Sequence, residues 1–321
     1  AALKNIGVNV FVSNFNIKNA LNIISENDIE CIAYSITTGF HKKYIYFNNL
    51  IKEKFPEIIS IFGGPHATFF PEIIEEKNVD AVCIGEAEET IVDFFQKYKT
   101  TSEIESWWIR EKNGTIKKNK LKPLVQNLDL LSFPDRRLFY DKYELARNSK
   151  IKSFITARGC PYNCTYCFNH AFVNLYGTKT ARRVRTRSVD NVIEEILYVK
   201  NNFPLEFVHF ATDTFIVDKN WIEEFAVKYK EKIGLPFFCG VRVELVTEEL
   251  ADLLHYAGCN SVSMGIECGN YELRKNLLKR NQTNKMIIKA AQILNRRKIN
   301  ILSQNMIRLP GETFDNMLET L

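Results

Sequence analysis

Short apolar runs alternating with helix-like segments, in two successive series, are the feature that most constrains this chain. In the first series residues 8–13, 29–35, 57–62 and 79–84 are strand-length apolar runs, separated by segments such as 42–54 and 87–98 that read as helices. That alternation predicts a doubly wound parallel sheet, since each parallel pair needs a helical crossover between its strands. The second series starts near residue 152. Residues 153–157, 206–210, 236–241, 261–266 and 299–306 read as strands, with helices near 221–230, 248–257 and 285–297. Ser188 reads as the N-cap of one more helix, whose apolar face is Val189, Val192, Ile193, Ile196 and Leu197. Five strand–helix units at these intervals predict a partial TIM-like α/β barrel.

Between the two series, residues 100–150 read as a linker. Asn113-Gly114 is a turn pair suited to a small hairpin, and Pro123 and Pro134 interrupt regular structure. Trp107 and Trp108 on that hairpin are expected to seal an interface between domains. The expected division is therefore 1–99, 100–150 and 151–321. In both architectures ligands collect at the carboxyl ends of strands, which is where functional residues are sought.

The first barrel strand runs into Arg158-Gly159-Cys160-Pro161-Tyr162-Asn163-Cys164-Thr165-Tyr166-Cys167. Cys160, Cys164 and Cys167 supply one thiolate too few for the four irons of a cubane cluster, so one iron stays open to a reactant. A different class of reading is a zinc-binding or redox-sensing module in which His170 closes a site of three sulfurs and one nitrogen. Structural zinc sites draw ligand pairs from two separated knuckles, whereas these four candidates fall within eleven residues, so the open iron–sulfur site is favoured. Cys31, Cys83, Cys239 and Cys259 sit in or beside apolar strands and read as small core residues.

Composition excludes little. Of 321 residues, 45% are hydrophobic and 25% charged, an ordinary globular balance, and a net charge of +5 is too small to argue for nucleic acid. Lys179, Arg182, Arg183, Arg185 and Arg187 form a basic run that reads as a solvated face rather than an RNA site. The longest apolar runs are strand-sized, well short of the roughly 20 residues of a membrane helix, so no span and a cytoplasmic location are expected.

Cys-x3-Cys-x2-Cys with Tyr166 before its third cysteine resembles the cluster loop of radical S-adenosylmethionine (SAM) enzymes. The resemblance implies a 4Fe-4S cluster whose open iron is chelated by the amino and carboxyl groups of SAM. It also implies reductive cleavage of SAM to a 5′-deoxyadenosyl radical, with electrons from a donor such as flavodoxin or ferredoxin. Within it, Asp213 would contact the SAM amino group and Glu267, in Gly265-Ile266-Glu267-Cys268-Gly269, the ribose or methionyl end; Cys268 stands where serine is usual. Gln304 opens a segment, Gln304-Asn305-Met306-Ile307-Arg308-Leu309-Pro310-Gly311-Glu312-Thr313, similar to one that ends a later family strand, and joins Tyr166 among the cofactor-binding candidates.

The front series carries a second resemblance. Ser35-Ile36-Thr37-Thr38-Gly39, Gly63-Gly64-Pro65-His66-Ala67-Thr68 and Gly85-Glu86 are similar to the cobalamin-binding domain that precedes many radical SAM barrels. Ser35, Thr37, Gly63, Gly64, Gly85 and Glu86 would then hold cobalamin, the first four lining the slot for its nucleotide tail. The dinucleotide fingerprint Gly-x-Gly-x-x-Gly is absent, which disfavours a nicotinamide domain. No histidine precedes His41, so the lower axial position of cobalt has no assigned ligand, and the domain's opening strand is expected to be missing. The resemblance implies a cobalamin-dependent methyltransferase acting on an unactivated carbon of a small molecule. The alternative is a cyclisation or rearrangement with the same cofactors. A start at Ala1 without methionine and an end at Leu321 inside a fifth helix lead to the expectation of a longer natural protein.

Overall fold

The computed structural model describes residues 1–177, 183–213, 215 and 218–321. The chain divides into two compact units, one of residues 1–125 with 131–142, the other of residues 126–130 with 143–321.

In the first unit, β1 (Cys31–Ser35), β2 (Ile59–Gly63) and β3 (Ala81–Cys83) form a parallel ladder in which Ser35 lies beside Gly63 and Phe62 beside Val82. The helix His41–Lys52 crosses over from β1 to β2 and the short helix Gly64–Phe69 lies in the crossover from β2 to β3, as parallel pairing requires. The Asn113-Gly114 hairpin forms as expected. Its strands, β4 (Trp107–Arg110) and β5 (Ile116–Lys118), extend the sheet antiparallel from β3.

Two expectations are corrected here. Residues 8–13 form no strand, although Val8, Val10 and Val12 are half-buried and Asn9, Phe11 and Ser13 exposed. Alternation supplies a pleat but not a partner, and β1 is the edge of its sheet. Trp107 does not seal an interface between domains. It is 1% exposed within the first unit's own core, 4.2 Å from the Phe94 ring, and its indole N–H donates to the Thr90 carbonyl at 2.9 Å. Trp108 instead lies under the Lys118 ammonium, 4.2 Å from its ring. Trp107→Ala is expected to cost about 3–5 kcal/mol, the usual range for a buried large aromatic, measured as an earlier denaturant midpoint by tryptophan-independent circular dichroism.

In the second unit β6 (Ile151–Phe154) is followed by a short antiparallel pair, β7 (Ala157–Arg158) and β8 (Arg185–Thr186). β9 (Phe207–Phe210), β10 (Phe237–Val241), β11 (Cys259–Glu267) and β12 (Asn300–Asn305) then add to β6 one after another, all parallel and in chain order. The five expected strands are present. Each long crossover helix starts on a side-chain cap, Ser188, Asp218, Thr247 and Thr283 accepting from the backbone N–H three residues on. Phe210, Phe225, Tyr229 and Phe237 pack the helices onto the sheet with ring centroids 5.0–6.0 Å apart.

Lys179 and Arg182 of the basic run lie outside the described residues. Of its described members Arg183 is exposed, as a solvated face would have it, but Arg185 and Arg187 turn inward. Arg185 is buried, and Arg187 pairs with the buried Glu195 at 2.5 Å and bonds Asn191 at 2.6 Å. Among the described residues no helix is long and apolar enough to cross a membrane.

Candidate active site

The cysteine loop leaves β7 at the carboxyl end of the second sheet and is fastened to two later strand ends. Gly159 donates its N–H to Asp213 at 3.4 Å, just after β9. Thr165 donates its hydroxyl to the Leu277 carbonyl at 2.7 Å, beyond β11. Cys167 becomes the N-cap residue of the helix Phe168–Tyr176. The loop thereby closes one side of a cavity of about 330 Å³, whose other walls are the ends of β9 to β12. All seven candidates from this unit line it: Cys160, Cys164 and Cys167, with Tyr166, Asp213, Glu267 and Gln304.

The three cysteines are free, Cys164 buried and the other two partly exposed. His170 is absent from the cavity lining. Its Nε2 faces the Asn174 amide at 3.4 Å, and its buried Nδ1 has no partner. Among the described residues no three His, Cys, Asp or Glu side chains are gathered as for a single metal ion. His170 thus stands apart from the cysteines' cavity and does not serve the closed zinc arrangement. The chemistry of the donor set fits an iron–sulfur cluster instead, because two guanidinium groups and an amide are aimed at the sulfurs, as suits an anionic assembly. Arg242 donates to the Cys164 sulfur at 3.6 Å and Arg280 at 3.9 Å, and the Asn169 amide to Cys167 at 3.8 Å.

Both arginines are held from behind. The Arg242 guanidinium stacks 3.5 Å from the centre of the Tyr162 ring and donates to Glu244 at 2.7 Å, whose other oxygen accepts from Gln282 at 2.6 Å. Burial works against both charges in that pair, but the bond between them outweighs it, holding the Glu244 carboxyl below its usual value and keeping Arg242 cationic. Arg280 donates to the Gly265 carbonyl at 2.7 Å and to the Tyr166 hydroxyl at 3.0 Å, and lies 3.3 Å from the Glu267 carboxylate. Burial pushes the Tyr166 phenol well above its usual value, so it stays protonated. Glu267 sits at φ +72°, and a Cβ on Gly265 would fall 2.5 Å from its carboxylate oxygen and 3.1 Å from Arg280. Glycine at 265 is what lets acid, arginine and tyrosine meet.

Arg242 and Arg280 escape the sequence reading for different reasons. Arg242 directly follows β10 and was findable by the strand-end rule; Arg280 lies in an irregular stretch before the helix Asn284–Arg296 and carries no periodic signal. Cys268 is buried away from the cavity, its thiol 3.8 Å from Glu312.

The front-unit candidates meet at the carboxyl ends of β1, β2 and β3. Ile36 donates to the Gly63 carbonyl at 2.9 Å and His66 to the Ile36 carbonyl at 3.0 Å, so the loop holding Ser35 and Thr37 is tied to the Gly63-Gly64 turn. Gly85 donates to the Thr68 hydroxyl at 3.1 Å, and the Glu86 carbonyl accepts from Thr90 at 3.1 Å. Gly64 has φ +87°, and a Cβ there would stand 2.8 Å from both the Ser35 hydroxyl and the Ile36 nitrogen. Gly63 is unlike it: its Cβ would make an ordinary 3.7 Å contact with Cys83. Beside these loops the His41 and His66 rings stack 4.0 Å apart over a cavity of about 460 Å³, and burial, reinforced by His41, lowers the His66 pKa.

The comparisons agree with both halves. The radical SAM superfamily model matches residues 154–321, and the B12 binding domain model residues 1–95. An uncharacterized methyltransferase of Pyrococcus horikoshii is 26% identical over 306 residues, covering 93% of this chain and 64% of that protein. The anaerobic magnesium-protoporphyrin IX monomethyl ester cyclase of Rubrivivax gelatinosus is 25% identical over 288 residues, 84% of this chain and 49% of the cyclase. The radical SAM methyltransferase TsrM from Kitasatospora setae, solved with tryptophan and a SAM analogue, superposes with a TM-score of 0.79 at 16% identity, over 98% of this chain and 65% of TsrM, a likeness of fold. The chain thus spans about half to two thirds of these relatives' length.

Proposed function

The chain belongs to the radical SAM superfamily and carries a B12-binding domain, and from that premise we propose that it is a cobalamin-dependent methyltransferase acting on an unactivated carbon of a small molecule. The convergence of three free thiols and two acids on one cavity at the strand ends carries the reading. When bound, the family's 4Fe-4S cluster and SAM supply a reductively generated carbon radical, and cobalamin supplies a methyl carrier.

The chain's own residues then have distinct tasks. Cys160, Cys164 and Cys167 would hold the cluster by three of its irons, with the remaining one open to SAM. Asp213 and Glu267 offer carboxylate acceptors to the amino and hydroxyl groups of SAM, with Gln304 and the Tyr166 hydroxyl on the same wall. Ser35, Thr37, Gly63, Gly64, Gly85 and Glu86 form the cradle for cobalamin. A soluble one-electron donor of the flavodoxin or ferredoxin type, and a cytoplasmic setting, follow from the same reading.

A second outcome, cyclisation or rearrangement with the same cofactors, is favoured by one observation, the likeness to a cyclase. One experiment separates them. Anaerobically reconstituted protein is expected to hold about four irons per chain, to retain hydroxocobalamin in equilibrium dialysis, and to move label from methyl-labelled SAM into product. No cobalamin retained sinks the whole reading; cobalamin retained with label never leaving SAM sinks methyl transfer alone.

A further inference from the structure

Arg242 and Arg280 have no part in the family-derived assignments, yet both turn toward the same sulfur. Cys164 is 5% exposed and is the one cysteine of the loop with guanidinium donors aimed at it among the bonds of the described residues, at 3.6 and 3.9 Å. Neither arginine reaches it by accident of flexibility. Arg242 is fixed by the Tyr162 ring, by Glu244 and through Glu244 by Gln282; Arg280 is fixed by the Gly265 carbonyl, the Tyr166 hydroxyl and Glu267. Each guanidinium also has a carboxylate partner, so the pair is oriented rather than simply a positive patch.

Resting on the assignment of the three cysteines to a 4Fe-4S cluster, we propose that Arg242 is a positioning residue that sets the cluster's reduction potential through the Cys164 sulfur, with Arg280 as the second donor. Reduction adds one electron to the cluster and breaks no bond, so the oxidised and reduced forms differ by one negative charge. Donors and positive charge at a ligand sulfur stabilise the more negative form and raise the potential, and a half-buried site screens them little. The two arginines therefore make the cluster easier to reduce by a given donor. The Cys164 side of the cluster feels this most, because among the described residues both guanidinium donors are on Cys164, whereas the donor to Cys167 is the neutral Asn169 amide.

The test is a redox titration of reconstituted protein with dithionite and mediators, following the paramagnetic signal of the reduced cluster, with iron content measured on each sample. Arg242→Gln removes the charge while keeping a polar group of similar reach. It is expected to keep about four irons and to lower the ratio of reduced to oxidised cluster at a fixed poise about tenfold, equivalent to about 59 mV for one electron. Arg242→Lys, which keeps the charge, is expected to recover most of that loss. An unchanged midpoint in Arg242→Gln with full iron overturns the proposal, and so does failure of both variants to load the cluster, since Arg242 would then build the site rather than tune it. Absence of iron from the wild-type protein overturns instead the cluster assignment beneath it.

Discussion

Cys164→Ala is expected to leave the reconstituted protein without its cluster signal and with SAM cleavage at the level of the reagents alone. Of the three cysteines it has the most to lose, because it is buried and two guanidinium groups are turned toward its sulfur. Removing the thiolate would take away a proposed iron ligand and leave the two guanidinium groups with only Glu244 and Glu267 as anionic partners. Iron analysis and detection of 5′-deoxyadenosine after reduction check the result. Cys268→Ala is the matched control, a buried cysteine outside the cavity, and is expected to keep both iron and cleavage. Iron at wild-type level in Cys164→Ala would refute the assignment.

Gly64→Val is expected to abolish cobalamin retention while iron content stays near wild type. The reason is local: at φ +87° any side chain is strained, and its Cβ meets Ser35 and the Ile36 backbone at 2.8 Å. Backbone strain of this sort costs on the order of 1–3 kcal/mol before the clash is counted, so the loops after β1 and β2 must separate. Gly63→Ala is expected to bind cobalamin normally, because its Cβ has room and the backbone is extended. Equilibrium dialysis of the two variants side by side decides it. Equal retention would mean that these loops do not form the cradle.

The two glycines also show where the sequence stopped being legible. Gly63 and Gly64 look equivalent in a string, and only the backbone torsions separate a glycine that must be one from a glycine that need not be. The alternating series were readable because strand and helix periods are local, and the helix Glu248–Ala257 lies where its pattern placed it. The caps were readable for the same reason, as Ser188 shows. Residues 8–13 misled because pairing is not a local property, and Trp107 because an aromatic residue on a hairpin carries no mark of which face it turns inward. The chemical residues of the second unit announced themselves by type and by position at strand ends. Arg280 did not, since its importance comes from contacts outside any local period, with Gly265 15 residues before it and Tyr166 114 before it.

The seating of the cysteine loop has a consequence for the order of events during synthesis. Its anchor at the Leu277 carbonyl lies 112 residues downstream of Thr165, and Arg280 lies 116 downstream of Cys164. At about 5–20 residues per second, roughly 6–23 s pass between the ribosome adding Cys164 and adding the arginine that faces it. Through that interval the three thiols are complete in number but unsheltered, open to oxidation or to the wrong metal. Iron arriving before β11 and the turn after it would meet the three thiols without the arginine that faces Cys164, so cluster loading is expected to follow their synthesis.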